Sequence, residues 1–385
     1  MPFPADRTPL TELAALFLRL GATAFGGPAA HIALMEDEVV RRRRWLARDE
    51  FLDLLGATNL IPGPNSTELA IHIGHRRAGW PGLLVAGTCF IAPAALIVCA
   101  LAMAYQNWGT LPVATALLYG VKPVIVAVIA QALWGLGKTA LKSWPLALVA
   151  AATAAAVLLG VPEITALLAM GGIRALAASV HHRIPPDRVP GPPLIALGWT
   201  SAAAAPLAAG TAFGLWPLFL FFLKVGSILF GSGYVLIAFL RADLVDPWHW
   251  LTESQLLDAV MVGQITPGPV FTTATFIGWI LGGPGGAAAA TVGIFLPAFA
   301  FVAISGPLVP RLRQSPVMAA FLDGVNAASL ALMAVVAVPL ARTAWPDPPA
   351  LALSLVAAVL LIHRRVNSTW LIAAGALAGW LIHPR

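Results

Sequence analysis

FLRLGATAFGG, at residues 17–27, and FLKVGSILFGS, at residues 222–232, are one pattern written twice. Phe17, Leu18, Gly21, Phe25 and Gly26 meet Phe222, Leu223, Gly226, Phe230 and Gly231 without a gap. The register holds further along the chain. Trp45-Leu46 meets Trp250-Leu251, Asp53 meets Asp258, and Pro62-Gly63-Pro64 meets Pro267-Gly268-Pro269. After short slips Pro93 meets Pro297, Gly120-Val121 meets Gly324-Val325, and Trp144-Pro145 meets Trp345-Pro346. So many glycine, proline and tryptophan matches in one register mean an internal duplication.

Composition says where the duplicated unit lives. Hydrophobic residues make up 59% of the chain and charged residues 10%, against about 25% charged in a soluble domain. Stretches 80–105, 111–137 and 194–215 are long and apolar enough to cross a bilayer. MPFPADRTPL at the start holds no apolar core of a cleaved signal. Cys89 and Cys99 share one apolar span and read as small core residues, not as a disulfide framework. The net charge of +6 does not predict nucleic-acid binding, because the basic residues gather in short loops. These are Arg41 to Arg44 with Arg48, then residues 75–77, Lys138 with Lys142, residues 181–188, Arg311 with Arg313, and Arg364 with Arg365. That is the distribution of the positive-inside rule.

The expected fold is an all-α integral membrane protein made of two homologous halves. Residues 1–180 form the first repeat, 181–215 a Pro-rich linker and one unpaired span, and 216–385 the second repeat. Each half opens with two broken helical elements, interrupted at Phe25-Gly26-Gly27-Pro28 and Pro62-Gly63-Pro64 in the first. Spans near 80–104, 111–137, 145–160 and 163–179 follow, with partners near 284–308, 317–341, 349–363 and 368–382. Each half has an even number of elements, so one extra span inverts the second against the first, the plan of many secondary transporters. Counting spans puts most basic loops on one side, with Arg241 and Arg342 as exceptions. The broken elements either cross the membrane or enter and return; only the hairpin puts Arg41 to Arg48 with the other basic loops.

Irregular backbone survives in hydrocarbon only inside protein or around a polar cavity. A single break reads as a kink, but matched breaks in both halves read as a binding site. In the first half, segments 11–24 and 48–61 run into the breaks, and 28–40 and 65–77 run out. Pro28 suits a first helical turn, and Asn65-Ser66-Thr67-Glu68 resembles a capping box. Helix N-termini carry free N–H donors and roughly half a positive charge each, so four converging on one point suit a small anion. Gly26, Gly27, Gly63, Gly231, Gly233 and Gly268 let that backbone approach a ligand. Arg19 and Lys224 hold equivalent positions, and Lys122, opposite Asn326, lies mid-span. Charges there default to a functional reading, against snorkelling as the plain alternative. Ser66, Thr67, Ser232, Thr272 and Thr273 add hydroxyls, and Asn59 and Gln264 an amide at one matched position.

His31 and Glu68 are candidates for coupling. Capping is the simpler role for Glu68 and packing an equal one for His31. Asp53 and Asp258 are expected to pair with basic groups, and His72 and His75 to belong to a basic loop.

At FLRLGATAFGGPAAHIALMEDEVVRRRRWL with LIPGPN, and at FLKVGSILFGSGYVLIAF with ITPGP, the chain resembles the chromate ion transporter family in its long, two-domain form. The resemblance covers nearly the whole chain. It implies a multi-pass protein of the bacterial inner membrane that exports chromate and confers resistance to it. Sulfate, of similar shape and charge, is the implied competitor. Leu236 stands where His31 is in the first half, and Ser232 and Gly233 stand for Gly27 and Pro28, so the halves are unequal at the site. Chromate and membrane lipids are the expected partners, with a homodimer left open, and no cofactor, metal or nucleic acid is expected. An importer or exchanger of sulfate or another oxyanion is the alternative within the class. Outside it, an intramembrane enzyme finds no HExxH or G-x-S-x-G motif and ATP drive finds no Walker loop. A scaffold without transport has no use for matched breaks.

Overall fold

The computed structural model describes residues 8–181, 212–230, 235–305, 315–364 and 366–382. The described residues are helical, with no strand among them. The first half runs α1 (Leu10–Thr23), α2 (Gly27–Glu36) continued by a π-turn (Asp37–Arg42), α3 (Arg48–Thr58), α4 (Asn65–Trp108), α5 (Pro112–Ala140), α6 (Trp144–Leu158) and α7 (Glu163–His181). The second half runs α8 (Leu215–Ile228), α9 (Leu236–Leu240) continued by a π-turn (Arg241–Val245) and α10 (Glu253–Ile265). A short 3₁₀ turn (Val270–Thr272) then leads into α11 (Thr273–Ser305), α12 (Pro316–Ala344), α13 (Pro348–His363) and α14 (Ser368–Ile382). Five of these stretches are long and apolar enough to cross a membrane. Most of the linker and unpaired span, together with Arg311, Arg313, Gly231, Ser232 and Gly233, lie outside the described residues.

Helix α4 is two limbs. At Ala78 (φ −141°) and Gly79 (φ +65°) the chain turns back on itself, and Gly282 (φ −141°) and Gly283 (φ +59°) repeat the turn in α11. A left-handed residue followed by proline, Pro81 or Pro284, ends one helix and starts the next. The limbs pack backbone to backbone. A Cβ on Gly74 would strike the Gly82 carbonyl, and one on Gly278 the Gly286 carbonyl.

Both broken elements of the first half are hairpins that start and finish at one end of the molecule. Glu12, in the first turn of α1, meets Arg43 beyond the outgoing π-turn at 2.6 Å. Arg77, at the end of limb 65–77, donates to Thr8 Oγ1 at 2.8 Å and to the Trp45 carbonyl at 3.1 Å. Arg76 pairs with Glu50 at the start of α3. Crossing elements would hold these ends a membrane thickness apart. The breaks meet away from that end, across the two halves. Gly63 N–H donates to the Leu229 carbonyl at 2.8 Å and Gly268 N–H to the Ala24 carbonyl at 2.9 Å, two bonds between matched residues.

The remaining helices exchange partners. α1 packs on α4 and α8 on α11, each within its half. α6 and α7 pack on α12, while α13 and α14 pack on α5, each across to the other half. Gly120 lets α5 approach α14 at Gly375 and Gly379, and its match Gly324 lets α12 approach α7 at Met170. Small residues at such crossings allow the close packing that drives helix association in lipid. Trp144, Leu158, Leu159 and Trp370 on the outer helices stay exposed, as lipid-facing residues do.

Candidate functional site

A cavity of about 730 Å³ lies where the first-half breaks meet α5 and α12. Gly26, Gly27 and Pro28 form one wall, and Asn59, Pro64, Asn65 and Ser66 another. Asn326, Ser329 and Asp323 face them from α12, Lys142 stands beyond the end of α5, and Val235, Val270 and Phe271 come from the second half.

Two helix N-termini bound this cavity. Gly26 caps α2 in the left-handed conformation (φ +104°), and Pro28 sits in the first turn, where no N–H is needed. Limb 65–77 starts after Pro64, with Asn65 and Ser66 in its first turn. The opening N–H groups of each helix have no carbonyl within it and carry its positive dipole end. The Ser329 hydroxyl is buried without a partner among the described residues. Lys142 and Asp323, 3.9 Å apart, the first exposed and the second partly so, mark where the cavity reaches the surface. The lining offers N–H, amide and hydroxyl groups, the kinds of donor that can hold an oxyanion.

The family model described as chromate transporter matches residues 11–176 and again residues 216–380. The chain belongs to the chromate transporter family. It is 32% identical to a chromate transport protein of Cupriavidus metallidurans, over 97% of this chain and 94% of that protein. It is 33% identical to a chromate transport protein of Pseudomonas aeruginosa, over 97% of this chain and 92% of that one. A probable chromate transport protein of Synechococcus elongatus is 32% identical over 96% and 95%. No solved structure matches the chain. The family's repeated unit is thus present twice in this multi-pass membrane protein.

Within this chromate-transporter chain the expected site residues divide. Gly26, Gly27, Pro28, Asn65 and Ser66 line the cavity. Gly63 and Gly268 instead carry the two bonds that join the halves. Thr67 is buried with its hydroxyl unpartnered among the described residues, and Thr272 bonds the Pro269 carbonyl at 2.8 Å. Neither lines the cavity.

The cations expected near the anion have protein partners. Arg19 pairs with Glu38 at 2.7 Å and Lys224 with Asp243 at 2.9 Å, the same ion pair in both halves. Lys122 donates to Ser254 Oγ at 2.6 Å and stands 3.4 Å from Asp258, whose other oxygen accepts from Tyr105 at 2.9 Å. None of the three lines the cavity. The pairing expected of Asp258 is therefore present. A full charge away from water needs a counter-charge, and a carboxylate on a neighbouring helix supplies it.

Two local expectations are corrected. Asn65-Ser66-Thr67-Glu68 is not a capping box: Pro64 takes the N-cap position without a side-chain bond, and both Glu68 oxygens are unpartnered among the described residues. Asn65 donates to Asn59 Oδ1 at 2.8 Å instead. His72 is not part of a basic loop, because its ring is buried. His31 has the packing role: Nε2 lies 3.0 Å from the Ala24 carbonyl and Nδ1 3.3 Å from Ser66 Oγ, joining the two first-half breaks. Asn326 and Ser329 gave a weaker signal in sequence, as polar residues inside an apolar span opposite a break.

Proposed function

We propose that this chain is a secondary transporter that exports chromate across the bacterial inner membrane and so confers resistance. The cavity between the first-half breaks and α12 is its oxyanion site. One observation carries the reading: two helix N-termini, at Gly26-Gly27 and Asn65-Ser66, border one cavity together with Asn326 and Ser329. Backbone donors and fixed dipoles suit a tetrahedral dianion, and family membership supplies chromate. Sulfate presents the same charge and shape and competes for the same donors. Arg19, Lys224 and Lys122 act from behind, fixing the helices that carry the breaks.

Residues 1–180 and 216–385 act as two inverted repeats, joined through 181–215. The exchanged helix contacts and the paired bonds of Gly63 and Gly268 support a two-fold relation between them. Rocking of one repeat against the other exposes the site to each side in turn. The test is uptake of labelled chromate into inside-out vesicles, with and without the protein and with excess sulfate. Protein-dependent uptake that sulfate reduces is expected. Absence of such uptake under every imposed gradient sinks the reading.

A further inference from the structure

Glu68 is fully buried at 0% exposure, and neither carboxyl oxygen has a hydrogen-bond partner among the described residues. It lies two residues from Ser66, which lines the cavity, and its carboxyl packs against Gly63, beside Ala298 of α11. His72 follows one helical turn on, about 6 Å along the axis. It is buried too, and its Nε2 is unpartnered. His75 comes next and is half-buried against Trp80. Beyond it, Arg76 and Arg77 reach the end where the hairpins begin. The limb thus carries acid, imidazole, imidazole and guanidinium groups from the break outward.

Among the described residues, neighbouring elements place no counter-ion on Glu68. On α1, Glu12 and Arg19 bond Arg43 and Glu38. His31 of α2 is held by Ser66 and Ala24, and on α3 Glu50 holds Arg76 while Asp53 is engaged elsewhere. Arg48 and Asp49 lie at the exposed start of α3. The long limb of α4 brings Cys89, Cys99 and Tyr105, the last bonded to Asp258 of α10. Helix α11 carries no ionisable residue. An ionised carboxylate without partners is among the costliest groups to bury, whereas a proton on it needs no further ligand. A sodium ion needs several oxygens, and on this limb, among the described residues, Thr67 adds one unpartnered buried hydroxyl to the Glu68 carboxyl.

We propose that Glu68 is a proton site coupled to the oxyanion site, with His72 and His75 passing the proton between it and the basic end of the hairpin. This rests on the transport reading above. Electrostatics gives the sign. An ionised Glu68 in the first turn of the limb that lines the cavity repels a dianion, so the anion binds when Glu68 holds its proton and the two travel together; their combined charge stays negative, so an inside-negative membrane potential still drives them outward. The proton moves from solvent to the His75 ring, then to His72, then to a Glu68 oxygen, and no other bond changes.

The test uses the whole protein in liposomes, with labelled chromate inside or outside and a pH dye in the medium. Wild-type uptake should alkalinise the medium and speed up when the outside is acidified. Glu68→Gln should keep chromate–chromate exchange but lose both effects, and Glu68→Asp should restore them. His72→Phe should slow the proton-coupled phase about 10-fold or more and spare exchange. Wild-type uptake with no proton movement overturns the proposal, even if the variants fail to fold. So does a sodium gradient that replaces the pH gradient. Absence of any chromate movement by wild type instead removes the transport reading itself.

Discussion

The two halves share a scaffold but differ in chemistry at the break. Asn65, Ser66, Thr67 and Glu68 open the outgoing limb of the first half; Val270, Phe271, Thr272 and Thr273 occupy the matched positions of the second. The glycine turns, the Arg19–Glu38 and Lys224–Asp243 pairs and the bonds of Gly63 and Gly268 are kept in both. The polar side chains at those four positions, Thr67 and Thr272 apart, are not. In the second half Phe271 packs against Phe295, with ring centroids 6.3 Å apart, and Thr273 bonds the Val270 carbonyl where Glu68 has no hydrogen-bond partner among the described residues. Duplication thus preserved what holds the hairpins in place, while only the first-half break lines the cavity with the polar residues Asn65 and Ser66, facing Asn326 and Ser329 of the second half.

The largest expected effect strikes the shared scaffold. Gly74→Val and Gly278→Val each place a branched side chain against a backbone carbonyl, which cannot yield as a side chain can. A cost of about 3 kcal/mol or more is expected from each, seen as loss of monodisperse protein by size-exclusion chromatography. If either variant is well folded, the halves are not equally dependent on the turn.

A smaller and unequal effect is expected at the differing positions. Ser66→Phe, which gives the first half the second half's residue, fills the cavity and should cut chromate transport by about 100-fold, or about 2.8 kcal/mol of binding. Phe271→Ser in the second half should cost stability through a lost aromatic contact while retaining most transport. Equal transport loss in the two variants would remove the asymmetry.

The smallest effect is expected at the matched ion pairs. Arg19 is 48% exposed, so Arg19→Gln should cost within about 1 kcal/mol of stability. Lys224 is 17% exposed, and Lys224→Gln leaves Asp243 half-buried without its partner, so a larger drop in melting temperature is expected. Neither should change the chromate KM much. A large rise in KM for both, with folding intact, would return these cations to the anion site.

Much of the architecture was legible because its signals are local. Glycine and proline at fixed spacing set the breaks and the turns, and the repeat of those positions set the duplication. The basic loops favoured hairpins, and the clustering of Thr8, Glu12, Arg43 and Arg77 agrees with them. The partner of Arg19 was also within reach, since Glu38 and Asp243 stand at matched positions. The site was less legible. Lys122 finds Ser254 and Asp258 far along the chain, and Asn326 and Ser329 reach the first-half break only by folding.

The sequence by itself determined that this is a duplicated, helical membrane protein of the chromate transporter family, because composition and register-locked breaks are properties of the chain alone. Only the tertiary structure decided which polar groups face a cavity and which face one another. Arg19, Lys224 and Lys122 look free in sequence, and neighbouring helices neutralise them. Glu68 looks like a cap in sequence, and Pro64, Gly63 and Ala298 leave it buried without a partner among the described residues. The physical reason is common to all four: whether a charge inside the membrane is paired depends on groups brought beside it by packing, not on its neighbours along the chain.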